Sequence, residues 1–184
     1  MEQGVYELPL NERLRTFMRI EFLYARLRYF SSDLKDSWET RTVIHTILEI
    51  YSILSRTDVR REVLADLDRY IMQMQRFQSV PDADSNTVTN ILEDLELIKE
   101  EVVDIGTDYL TRLRTDEFLA SLLHRHTLPG GKAEFDLPKY KFFLEGDKRL
   151  VSKKITTWVD IVRPISEGID KLMWIIRESS EPIA

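Results

Sequence analysis

Residues 57–77 read TDVRREVLADLDRYIMQMQRF. Val59, Val63, Leu67, Tyr70, Met74 and Phe77 recur at intervals of three and four, the period of an α-helix that lays one face on a core. Thr57 or Asp58 offers a side-chain oxygen to cap the first turn, and the helix must end before Pro81. A chain built from such segments is helical.

The same pattern extends in both directions. Asn11 suits the N-cap of a helix running to about Tyr29, with Leu14, Phe17, Met18, Phe22, Leu23 and Leu27 on its apolar side. A second helix spans roughly Ser37 to Ser55. Beyond the turn VPDADSN, Val88, Ile91, Leu92, Leu95, Ile98, Val102 and Ile105 mark another. Thr115 is placed to cap a shorter helix carrying Phe118, Leu119, Leu122 and Leu123. Asp136 and Pro138 suit the start of a short helix through Leu144, although KYKFFL also reads as a strand. Two further helices are expected, at about Asp147–Val162 and Pro164–Ser179, the second opened by its proline. Strand signals are otherwise nearly absent. The expected fold is an all-α, multi-helix bundle of six to eight helices, one domain over residues 1–184.

Composition narrows the function. The net charge is −6 with 32% charged residues, which argues against a surface that coats nucleic acid broadly. With no cysteine there can be no disulfide, thiolate metal site or cysteine nucleophile. No apolar run approaches the ~20 residues that span a bilayer. The opening MEQGVYELPLNER has acids where an export signal has a basic and then an apolar region. A cytoplasmic protein without membrane contact is expected.

Reactive constellations are missing. His124 and His126 diverge by about 200° on a helix and cannot clamp one metal, and His45 falls mid-helix between core positions. In ILEDLELIKEEVVD the residues Glu93, Asp94, Glu96, Glu100 and Glu101 avoid the apolar stripe, as a solvated face does. Met72, Met74 and Met173 read as core fillers. We expect no enzyme, metal or cofactor.

Two features are less ordinary. Arg15, Arg19 and Arg26 fall within about 40° of one another on the first helix, in a stripe shared with Phe22. The stretch LPGGKAEFDLP, Leu128–Pro138, interrupts the helices. It is not a Walker loop, because Lys132 is followed by Ala133 and no strand precedes it. It reads as a structured loop in which Pro129 breaks the helix and Gly130 and Gly131 permit positive φ, followed by Phe135, Asp136 and Pro138. Arg114, Arg125, Lys132, Lys139 and Lys141 lie near it in sequence.

PLNERLRTFMRIEFL (Pro9–Leu23) and LPGGKAEFDLP together resemble the signature stretches of the ZapD family of FtsZ-interacting bacterial cell-division proteins. VRREVLADLDR resembles that family's third helix, and TTWVDIVRPI its late helices. The resemblance spans the whole chain in consistent order. It implies a non-enzymatic, homodimeric adaptor at the mid-cell division site that binds the C-terminal tail of FtsZ through basic residues and bundles protofilaments. By motif position it implies Arg19 and Lys141 as tail contacts; charge and proximity add Arg15, Arg114, Arg125 and Lys132. Two departures accompany it. Glu117 stands where relatives tend to be basic, and the chain reaches IRESSEPIA where relatives would enter a C-terminal β domain, so that domain is expected to be absent. The loop is then expected to set Lys132 and Lys141 beside the first-helix arginines. The alternative is a helical nucleic-acid-binding protein using that arginine stripe, which would show steep salt dependence.

Overall fold

The computed structural model describes residues 6–80, 84–125 and 137–179, and within them eight helices and no strand. They are α1 (Glu12–Ser31), α2 (Ser37–Leu54), α3 (Val59–Phe77), α4 (Ser85–Asp104), α5 (Tyr109–Thr115), α6 (Glu117–Leu123), α7 (Pro138–Leu144) and α8 (Lys148–Glu178). Pro129, Gly130, Gly131, Lys132, Phe135, Asp136 and His126 lie outside the described residues.

Two antiparallel hairpins, α1–α2 and α3–α4, pack on α8, which touches all of α1 to α5. Antiparallel register follows from cross-helix pairs: Arg26 bonds Thr46 and Glu49 on α2, while Arg60 reaches the carbonyls of Val102 and Val103 and Lys99 pairs with Asp68. At 31 residues α8 is about 46 Å long. Its middle buries Ile161, Val162, Pro164, Ile165, Ser166, Gly168 and Ile169, which at 100° per residue cover a broad arc of roughly 200°. Asp160, Arg163, Glu167 and Asp170 occupy the remaining side, so α8 is amphipathic with a wide buried face.

Capping explains most of the boundaries. Asn11 accepts from Leu14 N–H at 2.8 Å, and Asp36, Asp58, Asp84 and Asp147 cap α2, α3, α4 and α8 in the same way. Gly106, at φ 76, follows the end of α4 and is the single described residue in the left-handed region. A side chain there would be strained, which makes glycine the natural stop.

Several expectations are corrected. The helices expected on either side of Arg163 are one continuous α8 with Pro164 inside it. An interior proline costs about 3 kcal/mol. That cost is offset by burial on both sides of it, where each of Ile161, Val162, Ile165 and Ile169 contributes roughly 1.5–3 kcal/mol. Arg163, biased away from helix by the following proline, is held by Glu101, Asp160 and Glu167 at 3.3–3.6 Å. The cap of α6 is Asp116 rather than Thr115, because Thr115 closes the separate helix α5. KYKFFL is helix α7, not a strand, with Pro138 at its first turn.

Faces differ from the apolar reading in detail. In α3 the buried set is Val59, Val63, Asp66, Leu67 and Ile71, while Phe77 and Met72 are exposed and Met72 is no core filler. Ile71 takes the place one turn beyond Leu67, which rotates Met72 toward solvent. Phe22, assigned to the apolar side of α1, is 67% exposed, since Leu23 and Tyr24 occupy the core-facing arc.

Candidate functional site

The entry to α1 is pinned at several points. Arg13 Nη1 lies 3.1 Å from Asp66 Oδ1 on α3. Arg177, near the end of α8, closes on two carboxylates, Glu7 and Glu21, with four contacts of 2.6–2.9 Å. Its hydrogen bond holds the Glu7 carboxyl below the usual range, against a small opposing effect of burial. The segment before Asn11 is thereby tied to the last turns of α8.

On this fixed helix the arginines differ sharply in availability. Arg26 is half-buried, donating from Nε to Thr46 Oγ1 at 2.9 Å and pairing with Glu49. Arg28 pairs with Asp170 at 3.2 Å. Arg15 is exposed and lies 3.1 Å from exposed Glu12, a surface pair that costs little to exchange for another carboxylate. Arg19 is exposed and has no ion-pair partner among the described residues. The stripe seen in the sequence therefore leaves one free cation and one loosely held one, about 6 Å apart along the axis. Arg26 is spent inside the α1–α2 seam.

Arg19 stands on the rim of a groove of about 300 Å³ between α1 and α2, lined by Phe22, Leu23, Glu49, Ser52 and Ile53. Aromatic and aliphatic surface thus lies beside a cation. Such a groove suits a peptide that brings an apolar side chain and a carboxylate together.

The remaining basic candidates sit elsewhere. Lys141 is on α7, 3.8 Å from Glu145. That helix is fixed to α2 near its start, where Arg41 lies over the rings of both Trp38 and Tyr140. Arg19 faces Glu49, Ser52 and Ile53, roughly 12–18 Å farther along α2 at 1.5 Å per residue. Lys141 is therefore not beside Arg19, as expected from the loop. Arg114 on α5 is exposed, Arg125 after α6 is half-buried, and neither has an ion-pair partner among the described residues. Lys132 lies outside them.

A second organising centre was not legible in the sequence. Asp116 accepts from the backbone N–H groups of Phe118 and Leu119 at 3.1 Å, from the Trp158 indole at 3.3 Å, and from Lys154. Burial works to raise its carboxyl, but Lys154, Leu119 N–H and the indole outweigh that and hold it below the usual range. Phe118 stacks on Trp158 with centroids 5.6 Å apart and packs on Phe143 at 4.4 Å, which joins α6, α7 and α8. Beside this cluster, Glu117 lines a groove of about 480 Å³ with Lys139 and Lys154. In the sequence the sign of this centre is the DEF tripeptide Asp116–Phe118, an N-cap signal one residue after Thr115.

Among the described residues no group of three or more histidines or acids could hold a metal, and no helix is long and apolar enough to cross a membrane.

Comparison with known proteins agrees with the sequence signatures. The family model ZapD, described as a cell division protein, matches residues 18–184. The cell division protein ZapD of Methylococcus capsulatus is 33% identical over 98% of this chain and 71% of its own length. Those of Nitrosomonas europaea and Nitrosomonas eutropha are 31% and 32% identical, over 96% and 95% of this chain and 67% and 69% of their own.

Proposed function

Because this chain belongs to the ZapD family of cell division proteins, we propose that it is a non-enzymatic adaptor that binds the C-terminal tail of FtsZ and, as a homodimer, crosslinks FtsZ protofilaments at the mid-cell division site. The observation that carries the reading is the Arg19 groove, where a cation without an ion-pair partner among the described residues stands beside Phe22, Leu23 and Ile53. A tail segment would pair a carboxylate with Arg19, draw Arg15 from Glu12, and bury an apolar side chain on Phe22. Lys141 would meet a flanking part of an extended tail, since α7 lies too far along α2 for the same residue to reach both, and Arg114, Arg125 and Lys132 are the further basic candidates. Two equivalent sites related by C2 symmetry would turn tail binding into crosslinking. A stable dimer of this kind buries more than ~1,000 Å² in total.

The nucleic-acid alternative is weaker than the arginine spacing alone suggested, because Arg26 is committed to Glu49.

The test is a fluorescence-anisotropy titration of labelled FtsZ tail peptide with the full chain, duplex DNA as competitor, and sedimentation to give the mass. Saturable peptide binding, no displacement by DNA and a mass of two chains are expected. Absence of peptide binding at tens of micromolar, or a mass of one chain, would remove the adaptor reading.

A further inference from the structure

We propose that the basic groove between the C-terminal end of α1 and the first turns of α8 is a second docking surface, which receives a short carboxylate-rich segment of a partner protein. It is independent of the Arg19 groove and stands whether or not a tail binds there. Lys148, Arg149 and Lys153, with the hydroxyls of Ser31 and Ser152, line an open groove of about 570 Å³. Among the described residues, none of the three cations has a carboxylate within ion-pair distance. Lys148 donates to the Lys35 carbonyl oxygen at 2.9 Å, which fixes one wall to the α1–α2 connection. Among the described residues Asp33 is the one acid lining the groove, so the lining carries net positive charge on a chain of −6.

Helix stability does not account for these cations. Lys148 and Arg149 occupy the first turn of α8, at the positive end of its macrodipole, where acids are favoured and bases disfavoured. Arg149 and Lys153 are one turn apart, about 6 Å along the axis. Alternate residues of an extended peptide are separated by roughly 6.6 Å, so carboxylates at every second position would meet the two cations in turn. The extent of the patch selects the partner. A long polyanion or an anionic membrane would have to lie against the rest of the molecule, which is more negative than the whole. A short acidic segment touches the groove alone.

The probe is a labelled octapeptide of alternating aspartate and serine, titrated with the full chain at low salt and followed by anisotropy and by backbone amide shifts. Saturable binding is expected, with shifts confined to residues 31–34 and 148–156. The double variant Arg149→Glu, Lys153→Glu should bind at least tenfold more weakly, and Arg149→Gln, Lys153→Gln should show a smaller loss. Arg19→Glu should leave this probe unaffected, just as the double variant should leave FtsZ tail binding unaffected. Absence of binding to the parent, shifts elsewhere, parental affinity in the double variant, or tighter binding of a 20-base-pair duplex would each overturn the proposal.

Discussion

Arg13 Nη1 meets Asp66 Oδ1 at 3.1 Å, joining the first turn of α1 to the middle of α3. Asp66 is 4% exposed and is also 3.2 Å from Arg69, so its charge is buried but doubly compensated. Removing the acid leaves arginines that are partly solvated and can rehydrate. Asp66→Ala should therefore cost about 1–2 kcal/mol, less than the 3–5 kcal/mol of an enclosed pair. Arg13→Ala should cost less than that, because Arg69 remains. Urea denaturation followed by circular dichroism measures both, and an Arg13→Ala loss exceeding that of Asp66→Ala would contradict this picture.

Gly168 sits where α8 packs tightly on the α3–α4 hairpin. A Cβ there would fall 2.9 Å from Val63 Cγ1, 3.5 Å from Ile98 and 3.7 Å from Val102. Alanine gains up to ~1 kcal/mol in helix propensity, while overpacking costs typically ~1–3 kcal/mol. Gly168→Ala should be destabilising by about 1 kcal/mol net. Pairing it with Val63→Ala should recover part of the loss beyond additivity, since the clash is with that side chain. Additive losses in the double variant would show that the contact is not the cause.

The helical fold was legible because apolar spacing and acidic caps agree along most of the chain. Pro164 misled because a local rule, that proline ends a helix, competes with burial contributed by the helices packed on α8, and only the assembled bundle contains those. Phe77 and Phe22 misled because periodicity locates a broad face, while the exact arc depends on which neighbours close over it. In the candidate site, spacing placed Arg15, Arg19 and Arg26 on one stripe correctly. It could not reveal that Glu49 arrives from α2 to occupy Arg26, while Arg19 has no ion-pair partner among the described residues.

Asp170 gives a pH signature at the α1–α8 seam. Burial pushes its carboxyl up to about 6, opposed by Arg28 and reinforced by Glu21 and Glu167, with Arg177 lowering it slightly. Its Oδ1 is buried without a hydrogen-bond partner among the described residues. A raised folded-state value means the native protein holds this proton more tightly than the unfolded chain does. The group's contribution is therefore favourable near pH 4 and is lost as pH rises through about 6. Asp170→Asn should remove that dependence: melting temperatures of parent and variant should draw apart below pH 5 in the parent's favour, and converge or invert above pH 7. Parallel curves across pH 4–8 would refute the assignment.

The final prediction separates a binding arginine from a structural one on the same stripe. Arg19 is exposed and has no ion-pair partner among the described residues, whereas Arg26 is bonded to Thr46 and Glu49. Arg19→Glu should leave the denaturation midpoint within the ~0.5 kcal/mol typical of exposed substitutions, yet weaken FtsZ tail binding about tenfold or more. The parent's advantage should shrink as salt screens the rim charge. Arg26→Glu places a second acid against Glu49 in the α1–α2 seam and should cost about 2–3 kcal/mol, through like-charge repulsion and a lost charged hydrogen bond. Its tail affinity, measured where the variant is still folded, should fall less than that of Arg19→Glu, because Arg26 does not itself line the groove although Glu49, released from it, does. The two variants should thus differ in kind, Arg19→Glu losing affinity without stability and Arg26→Glu mainly stability. Tail binding unchanged in Arg19→Glu would move the site off α1 and toward Lys141, Arg114 on α5 and Arg125 after α6.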